Sequence, residues 1–386
     1  MDLPNPYKGD YKKLVIVPIS LAIISLILIL FISPIRLGID FKGGIDVEML
    51  SSAPPNLQML KSDLEKSGYT VNEIKTNKNP AGYMTQAELS RSKKMLKADE
   101  LKSAYYTQRK EVAELEANSV IKNDSALRAQ YEQKRLELDK TANSLFELSG
   151  SNAIAGGFST TNLLTKQVQA SFVKISDEEN SNLRSIFASD VPDASTSFKE
   201  MSSSLSDDFI SRAFMVVVYS IILTSIVVFL IFRSIVPSIA VLSGAAADVL
   251  FALGAMAIFQ IPLTLASFAA LLMLVGFSLD TDILLTMRVV KRTEGSAADR
   301  AYESMKTGMT MSMSVMVAFA SLLALAYITQ ISIYYEIAAV AIAGLIGDLI
   351  ATWAFNAVII LAYMQDMEKK GKTIMKRSLL SYIFRS

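Results

Sequence analysis

Six stretches of this chain stay apolar for about twenty residues or more, and that pattern decides what it can fold into. A hydrocarbon layer about 30 Å thick is crossed by about 20 apolar residues in helical form, because a helix satisfies its own backbone hydrogen bonds. The runs fall at residues 14–35, 213–232, 236–259, 262–287, 309–328 and 334–363. The first is too long for a signal-peptide core, and FISPIRLGID after it offers no small-x-small cleavage site, so it reads as an uncleaved span. Pro18 sits in its first turns, where a missing donor costs least. The sixth run exceeds the minimum and predicts a tilted or broken helix.

Lys and Arg segregate between the short connections. Lys8, Lys12 and Lys13 precede the first run, Arg233 follows the second, and Arg288, Lys291, Arg292, Arg300 and Lys306 fall between the fourth and fifth. The turns near Gln260 and Gln330 have none. The positive-inside rule then predicts a cytoplasmic N-terminus (1–13), loop (288–308) and tail (364–386), with residues 36–212 outside.

Composition agrees and excludes several functions. Of 386 residues 51% are hydrophobic and 19% charged, an apolar excess that marks a membrane protein. The net charge of +1 lacks the basic surface that a nucleic-acid binder needs, so no nucleic acid is expected as a partner. There is no cysteine and no histidine, which removes disulfides, Cys/His zinc sites and Cys or His nucleophiles. No cofactor and no metal centre is expected, and a titrating group has to be a carboxylate, Lys or Tyr.

The outer segment opens as a small α+β sandwich. GIDFKGGIDVEML at 38–50 reads as a glycine-interrupted strand, Pro54–Ser67 as a helix stopped by Gly68, and residues 69–76 as a second strand. Ser176 followed by DEEN resembles a capped helix start, and a third strand is predicted near Ala194–Met201. Between them residues 85–148 hold 12 Lys+Arg, 11 Asp+Glu and no Gly or Pro. Apolar residues there recur at spacings of three, four and seven, which predicts an antiparallel helical hairpin turning near Asn118–Asp124, with Asp124 as a cap. Such an arm either decorates the domain or contacts a polypeptide or partner. Residues 149–161, with SGS and AGG, read as its flexible exit.

Four acids interrupt the apolar runs: Asp248 in the third, Asp280 and Asp282 in the fourth, and Asp348 in the sixth. A central Asp costs roughly 2.5 to 3.5 kcal/mol on insertion scales, so such residues normally face the bundle or a wet cavity and mark ion or substrate paths. At a rise of about 1.5 Å per residue, Asp248 lies roughly 16 Å from its cytoplasmic end, too deep to snorkel. All four are ion-coupling candidates. Asp280 and Asp282 point roughly 200° apart and cannot both face one cavity. The alternative is that these acids only hydrogen-bond small residues on adjacent helices, which segments such as GAAAD at 244–248 permit. Arg288, eight residues beyond Asp280, reads as a cytoplasmic interface anchor.

LGIDFKGG at 37–44 resembles the signature that follows the first membrane helix in the SecD/SecF family of protein-export proteins, with Gly38, Asp40, Gly43 and Gly44 as its motif residues. GFSLDTDILLTMRVVKR at 276–292 is similar to the fourth-span motif of the SecF branch, in its archaeal Asp-Thr-Asp form, and GLIGDLIATW at 344–353 resembles the sixth span. The resemblance implies an α-helical membrane protein of six transmembrane helices, half of the twelve-helix bundle of the resistance-nodulation-division (RND) superfamily, bearing an extracytoplasmic ferredoxin-like α+β domain. It further implies no enzyme but an assistant of Sec-dependent export at the plasma membrane, coupled to proton or other cation flow. The implied partners are a SecD-like subunit, the Sec translocon channel, an exported polypeptide and the lipid bilayer.

In this resemblance Asp280 matches the SecD acid, while the bacterial SecF acid falls on Thr281, which leaves the carrier open between Asp280 and Asp282. The early fifth-span Arg of bacterial SecF has no counterpart except Lys306 and Thr307 nearby, and the charged hairpin has none. Three rivals remain: a small-molecule or lipid exporter of the RND superfamily, a passive scaffold, and an intramembrane aspartyl protease, whose Gly-x-Gly-Asp pattern fails at Leu345.

Overall fold

The computed structural model describes residues 4–79, 82–122 and 125–369, so the cap predicted at Asp124 and the tail beyond residue 369 lie outside the described residues. The chain divides into two compact units, Ile39–Ser211 and a unit joining Met1–Gly38 to Arg212–Ser386.

In the first unit four antiparallel strands, β1 (Gly44–Ser51), β2 (Thr70–Asn79), β3 (Gly82–Ser90) and β4 (Ser195–Met201), lie in the order β2-β3-β1-β4. Helix α3 (Leu57–Lys66) follows β1 and helix α6 (Thr161–Asp190) precedes β4, which gives the βαββαβ order of a ferredoxin-like domain. Ile45, Val47 and Met49 alternate onto one face of β1 and meet Leu60 and Leu64 of α3 and Leu183 and Phe187 of α6. Burying each such side chain is worth about 1.5–3 kcal/mol.

Three local readings of the sequence are corrected here. Residues 39–42 are not strand: Ile39–Lys42 make one helical turn, α2, closed by Gly43 at φ 74°, whose N–H reaches the Ile39 carbonyl at 2.9 Å. The strand begins at Gly44 (φ 135°), where a Cβ would lie 2.7 Å from the Leu89 carbonyl oxygen, so a second glycine is needed at once. Residues 85–90 are not the start of the helical arm but the body of β3, which pairs with both β1 and β2. Of its inward residues Thr85, Ala87 and Leu89, the first is polar and the second small, which hides the alternation in sequence.

Nor does a helix start at Ser176. Helix α6 runs unbroken from Thr161, with the Thr160 hydroxyl accepting from the Leu163 N–H at 3.4 Å. It is continuous because its halves serve two cores. Leu164, Val168 and Ile175 pack with Met95 and Tyr105 of α4 (Lys93–Lys122) and Leu138 and Phe146 of α5 (Ser125–Leu148), while Leu183 and Phe187 pack under the sheet. The arm is therefore a three-helix bundle, with α6 covering the seam that a bare hairpin leaves open.

In the second unit six helices are long and apolar enough to cross a membrane: Tyr11–Ile32, Phe209–Phe232, Ile235–Phe259, Leu265–Lys291, Ala297–Thr329 and Ser332–Lys369. They comprise α1 (Ile16–Ile27) with its flanking turns, α7 (Ser203–Phe232), α8 (Ile235–Phe259), α9 (Leu265–Lys291), α10 (Ala297–Thr329), and a last span built as α11 (Ser332–Ile350), a π-helical turn (Ala351–Asn356) and α12 (Ala357–Lys369). The sixth span thus runs as one continuous helix that widens at this π turn. Helices α8, α9 and the last span bury the largest share of their surface, whereas α1, α7 and α10 leave Phe31, Phe214, Tyr219 and Val317 exposed, as lipid-facing side chains are. Short turns hold Arg233, Gln260 and Gln330 at φ 51–56°, and each N–H of Arg233 and Gln330 returns to the carbonyl four residues back.

Glycines set how close the inner helices come. A Cβ at Gly347 of α11 would lie 2.8 Å from Phe251 Cβ of α8, and one at Gly244 of α8 would run into the Asp282 carboxylate of α9.

Candidate functional site

Asp248, Asp282 and Asp348 come from α8, α9 and α11, and all three are fully buried where those helices meet. One hydroxyl, that of Thr352, joins Asp282 to Asp348, and others contact the acids singly. Ser278 donates to Asp248 through a short hydrogen bond, and the Thr281 hydroxyl lies 3.0 Å from Asp348 Oδ1. Thr352 Oγ1 lies 2.9 Å from Asp282 Oδ1 and 3.0 Å from Asp348 Oδ1, and Asn356 Nδ2 donates to Asp282 Oδ1 at 2.6 Å. Asp248 Oδ1, Asp282 Oδ2 and Asn356 Oδ1 are buried without a hydrogen-bond partner among the described residues.

No Lys or Arg is buried among the described residues of this unit. Three negative charges without a countercharge cannot all persist in a low-dielectric interior, where one unpaired ion costs several kcal/mol or more. Among the described residues no group of three or more His, Cys, Asp or Glu side chains converges closely enough to hold a metal ion. The acids are spaced by hydroxyls instead of meeting at one point.

Asp280, two residues before Asp282, is exposed on the other side of α9 and makes no hydrogen bond or ion pair with the described residues, in keeping with the angle between these neighbours. Arg288 reaches across to α10, donating to Thr307 Oγ1 at 2.8 Å and to the Glu303 carbonyl at 3.3 Å. Of the glycine motif, Gly38 donates its N–H to the Leu263 carbonyl at 2.8 Å, and a Cβ there would lie 2.5 Å from Thr264 Cγ2. Asp40 is fully buried and pairs with Lys199 at 2.9 Å, with Gly43 and Gly44 placed as described above.

Sequence reasoning singled out the acids, noted Thr281 only as the position of the bacterial SecF acid, and passed over Ser278, Thr352 and Asn356. The signal was present: Asp348, Thr352 and Asn356 recur every four residues within an apolar run, one polar stripe on one helix face. It also passed over Glu336, at the start of α11, which accepts a hydrogen bond from the Thr264 hydroxyl that caps α9.

The fold and this site define a multi-pass membrane protein with an α+β domain inserted after its first span and a nest of carboxylates inside its bundle. Residues 183–366 match the family described as protein export membrane protein SecD/SecF, C-terminal, and residues 28–54 match the SecD/SecF GG motif. The chain belongs to the SecD/SecF family. Protein-export membrane protein SecF of Methanothermobacter thermautotrophicus is 42% identical over 174 residues, which is 44% of this chain and 60% of that protein. SecF of Methanocaldococcus jannaschii is 41% identical over 174 residues, 45% of this chain and 62% of that protein. The matched stretch thus spans about 60% of the length of these curated relatives. The crystal structure of SecDF, a translocon-associated membrane protein, from Thermus thermophilus superposes with a TM-score of 0.56 at 14% identity, over 94% of this chain and 60% of that one, and shows a common fold.

Proposed function

We propose that this chain is a SecF subunit that assists Sec-dependent protein export without being an enzyme, working with a SecD-like subunit and the translocon channel on an exported polypeptide. Both termini lie in the cytoplasm and the α+β domain lies outside, a placement supported by the segregation of Lys8, Lys12, Lys13, Arg233, Arg288, Lys291 and Arg292 to one set of connections.

The assistance is coupled to flow of a proton or another cation. One observation carries this reading: Asp248, Asp282 and Asp348, from three spans, lie fully buried where those spans meet, Asp282 and Asp348 sharing the Thr352 hydroxyl, with no buried Lys or Arg beside them among the described residues. One charge crossing 100 mV releases about 2.3 kcal/mol, enough to drive a conformational cycle. The geometry favours Asp282 over Asp280 as a carrier, because only Asp282 has acidic neighbours to exchange with.

The test is secretion of a reporter in cells carrying Asp248→Asn, Asp282→Asn, Asp348→Asn or Asp280→Asn, with the membrane level of each variant measured. Slow secretion at normal abundance is expected for the buried three and a smaller effect for Asp280. Normal secretion in all four would remove ion coupling and leave a passive scaffold.

A further inference from the structure

The Thr352 hydroxyl, set between Asp282 and Asp348, is one hydrogen short. Thr281 Oγ1 lies 2.8 Å from the Ser278 carbonyl oxygen and 3.0 Å from Asp348 Oδ1, while Thr352 Oγ1 lies 2.9 Å from Asp282 Oδ1 and 3.0 Å from Asp348 Oδ1. Each hydroxyl has one hydrogen and can serve one acceptor. If both carboxylates were ionised, the Thr352 hydroxyl could serve only one of them, and a pair of oxygen lone pairs would face each other at hydrogen-bond distance in the buried bundle. One proton on Asp348 Oδ1 removes the conflict at Thr352: it donates to Thr352, and Thr352 donates to Asp282.

Asp282 is the better site for the negative charge. Its Oδ1 already takes the Asn356 amide at 2.6 Å as well as the Thr352 hydroxyl. Thr352 is also free to act. Elsewhere in the spans Ser225, Ser314 and Thr329 spend their hydroxyl hydrogen on the carbonyl four residues back, whereas Thr352 makes no such bond and turns both its contacts to carboxylates. Thr352 and Asn356 lie in the π turn Ala351–Asn356, a local widening that frequently marks a functional position. Asn356 Oδ1 is fully buried beside Asp282 with no hydrogen-bond partner among the described residues.

We propose that Asp348 and Asp282 share a single exchangeable proton through the Thr352 hydroxyl, with Asp348 as its resting carrier. This rests on the carboxylate nest being the coupling site and names how it is used. In the transfer step the Asp348 O–H bond breaks as a new O–H forms on Thr352 Oγ1, and the hydrogen that Thr352 held passes to Asp282 Oδ1. One proton moves from one carboxyl to the other and the hydroxyl is regenerated. Asp248 on α8 is the remaining titratable group facing the pair, and its contact to Ser278 is balanced, one hydrogen for one acceptor. Helices α1 and α10 bury no titratable side chain.

The test is infrared difference spectroscopy of the purified full chain in lipid nanodiscs at neutral pH, in H2O and D2O. The wild-type-minus-Asp348→Asn spectrum is expected to contain a carboxylic acid C=O band that shifts on deuteration. Thr352→Val, nearly isosteric, is expected to move that band to the higher frequency of an acid with a lost hydrogen bond, and Thr352→Ser to return it. Absence of the acid band, or a band that Thr352→Val leaves in place, overturns the proposal. Because the readout is spectroscopic, the shared proton can stand even if every variant secretes normally, and the export reading can stand if the band is missing.

Discussion

The hydroxyl of Tyr7 donates to the main-chain carbonyl of Trp353 at 2.9 Å, joining two residues 346 positions apart in sequence. Tyr7 precedes the first span, Trp353 lies in the π turn of the last, and both belong to one buried cluster with Leu285, Val289, Ala301 and Ala357. A π turn departs from the regular helical ladder, so an outside donor at this carbonyl helps to hold it. Leaving a buried acceptor unpaired costs about 1–3 kcal/mol. Tyr7→Phe is therefore expected to lower the thermal unfolding midpoint of the solubilised chain, and Tyr7→Ala to lower it further by opening a cavity. A Tyr7→Phe variant that melts like wild type would show that the π turn stands without this bond.

Close approach of α9 to α11 brings Asp282 within reach of the hydroxyl that Asp348 also touches, and Gly344 permits it. A Cβ at Gly344 would lie 2.8 Å from Leu274 Cδ1 and 3.0 Å from its Cγ. Gly344→Ala is expected to destabilise by about 1–3 kcal/mol through overpacking. Leu274→Ala removes the atoms in conflict, so the double variant should lose less than the sum of the two single losses, by roughly 0.5 kcal/mol or more. Strict additivity in thermal unfolding would place the limit on helix approach elsewhere.

The spans were legible because lipid imposes a length and an apolar composition that no local preference overrides. The acids were legible for the same reason, since Asp248 or Asp348 in such a run is costly wherever its side chain points. Strand β3 was not, because Thr85 and Ala87 face the core without being hydrophobic enough to mark a period of two. The unbroken α6 was missed because Ser176 and the acids after it look like a helix start, and only packing against α4 and α5 shows why the chain is already helical there. The roles of Thr281, Thr352 and Asn356 depend on which helices are neighbours, a relation that periodicity along one segment does not contain.

Asp46 gives the sheet a pH dependence. Burial pushes its carboxyl up to about 6 from an ordinary 3.8; the Gln86 amide, 3.1 Å away, opposes the rise, Glu48 and Glu88 add to it, and Lys199 opposes it. A carboxyl held up in the folded state binds its proton more tightly there than in the unfolded chain. Its contribution to stability is therefore full below about 3.8 and is lost as pH rises through about 6. Protection of the β1 amides, corrected for the intrinsic pH dependence of exchange, should fall across that interval and level off above it. Asp46→Asn, which can still accept from Gln86, should flatten the profile, and an unchanged slope in that variant would assign the dependence to another group.

Arg91 joins two carboxylates within the unit Ile39–Ser211. Its guanidinium donates to Asp99 Oδ2 at 3.0 Å and to Glu200 Oε2 at 3.3 Å, and the Arg91 and Asp99 side chains are almost wholly buried. Burial pushes both carboxyls up, and the nearby guanidinium opposes that rise. Helix α4, strand β4 and the end of β3 are thereby tied at one point, where the helical arm leaves the sheet. Removing one partner of a buried ion pair strands the other charges and costs about 3–5 kcal/mol. Arg91→Ala should sharply lower the resistance of residues 39–211 to proteolysis. Lys134→Ala, which breaks exposed pairs with Glu111 and Glu137, should leave it unchanged, since solvent screens such pairs and their ordering offsets the gain. Equal sensitivity of the two variants would mean that the arm is held by its apolar seam alone, and that the buried charges are tolerated there instead of holding it.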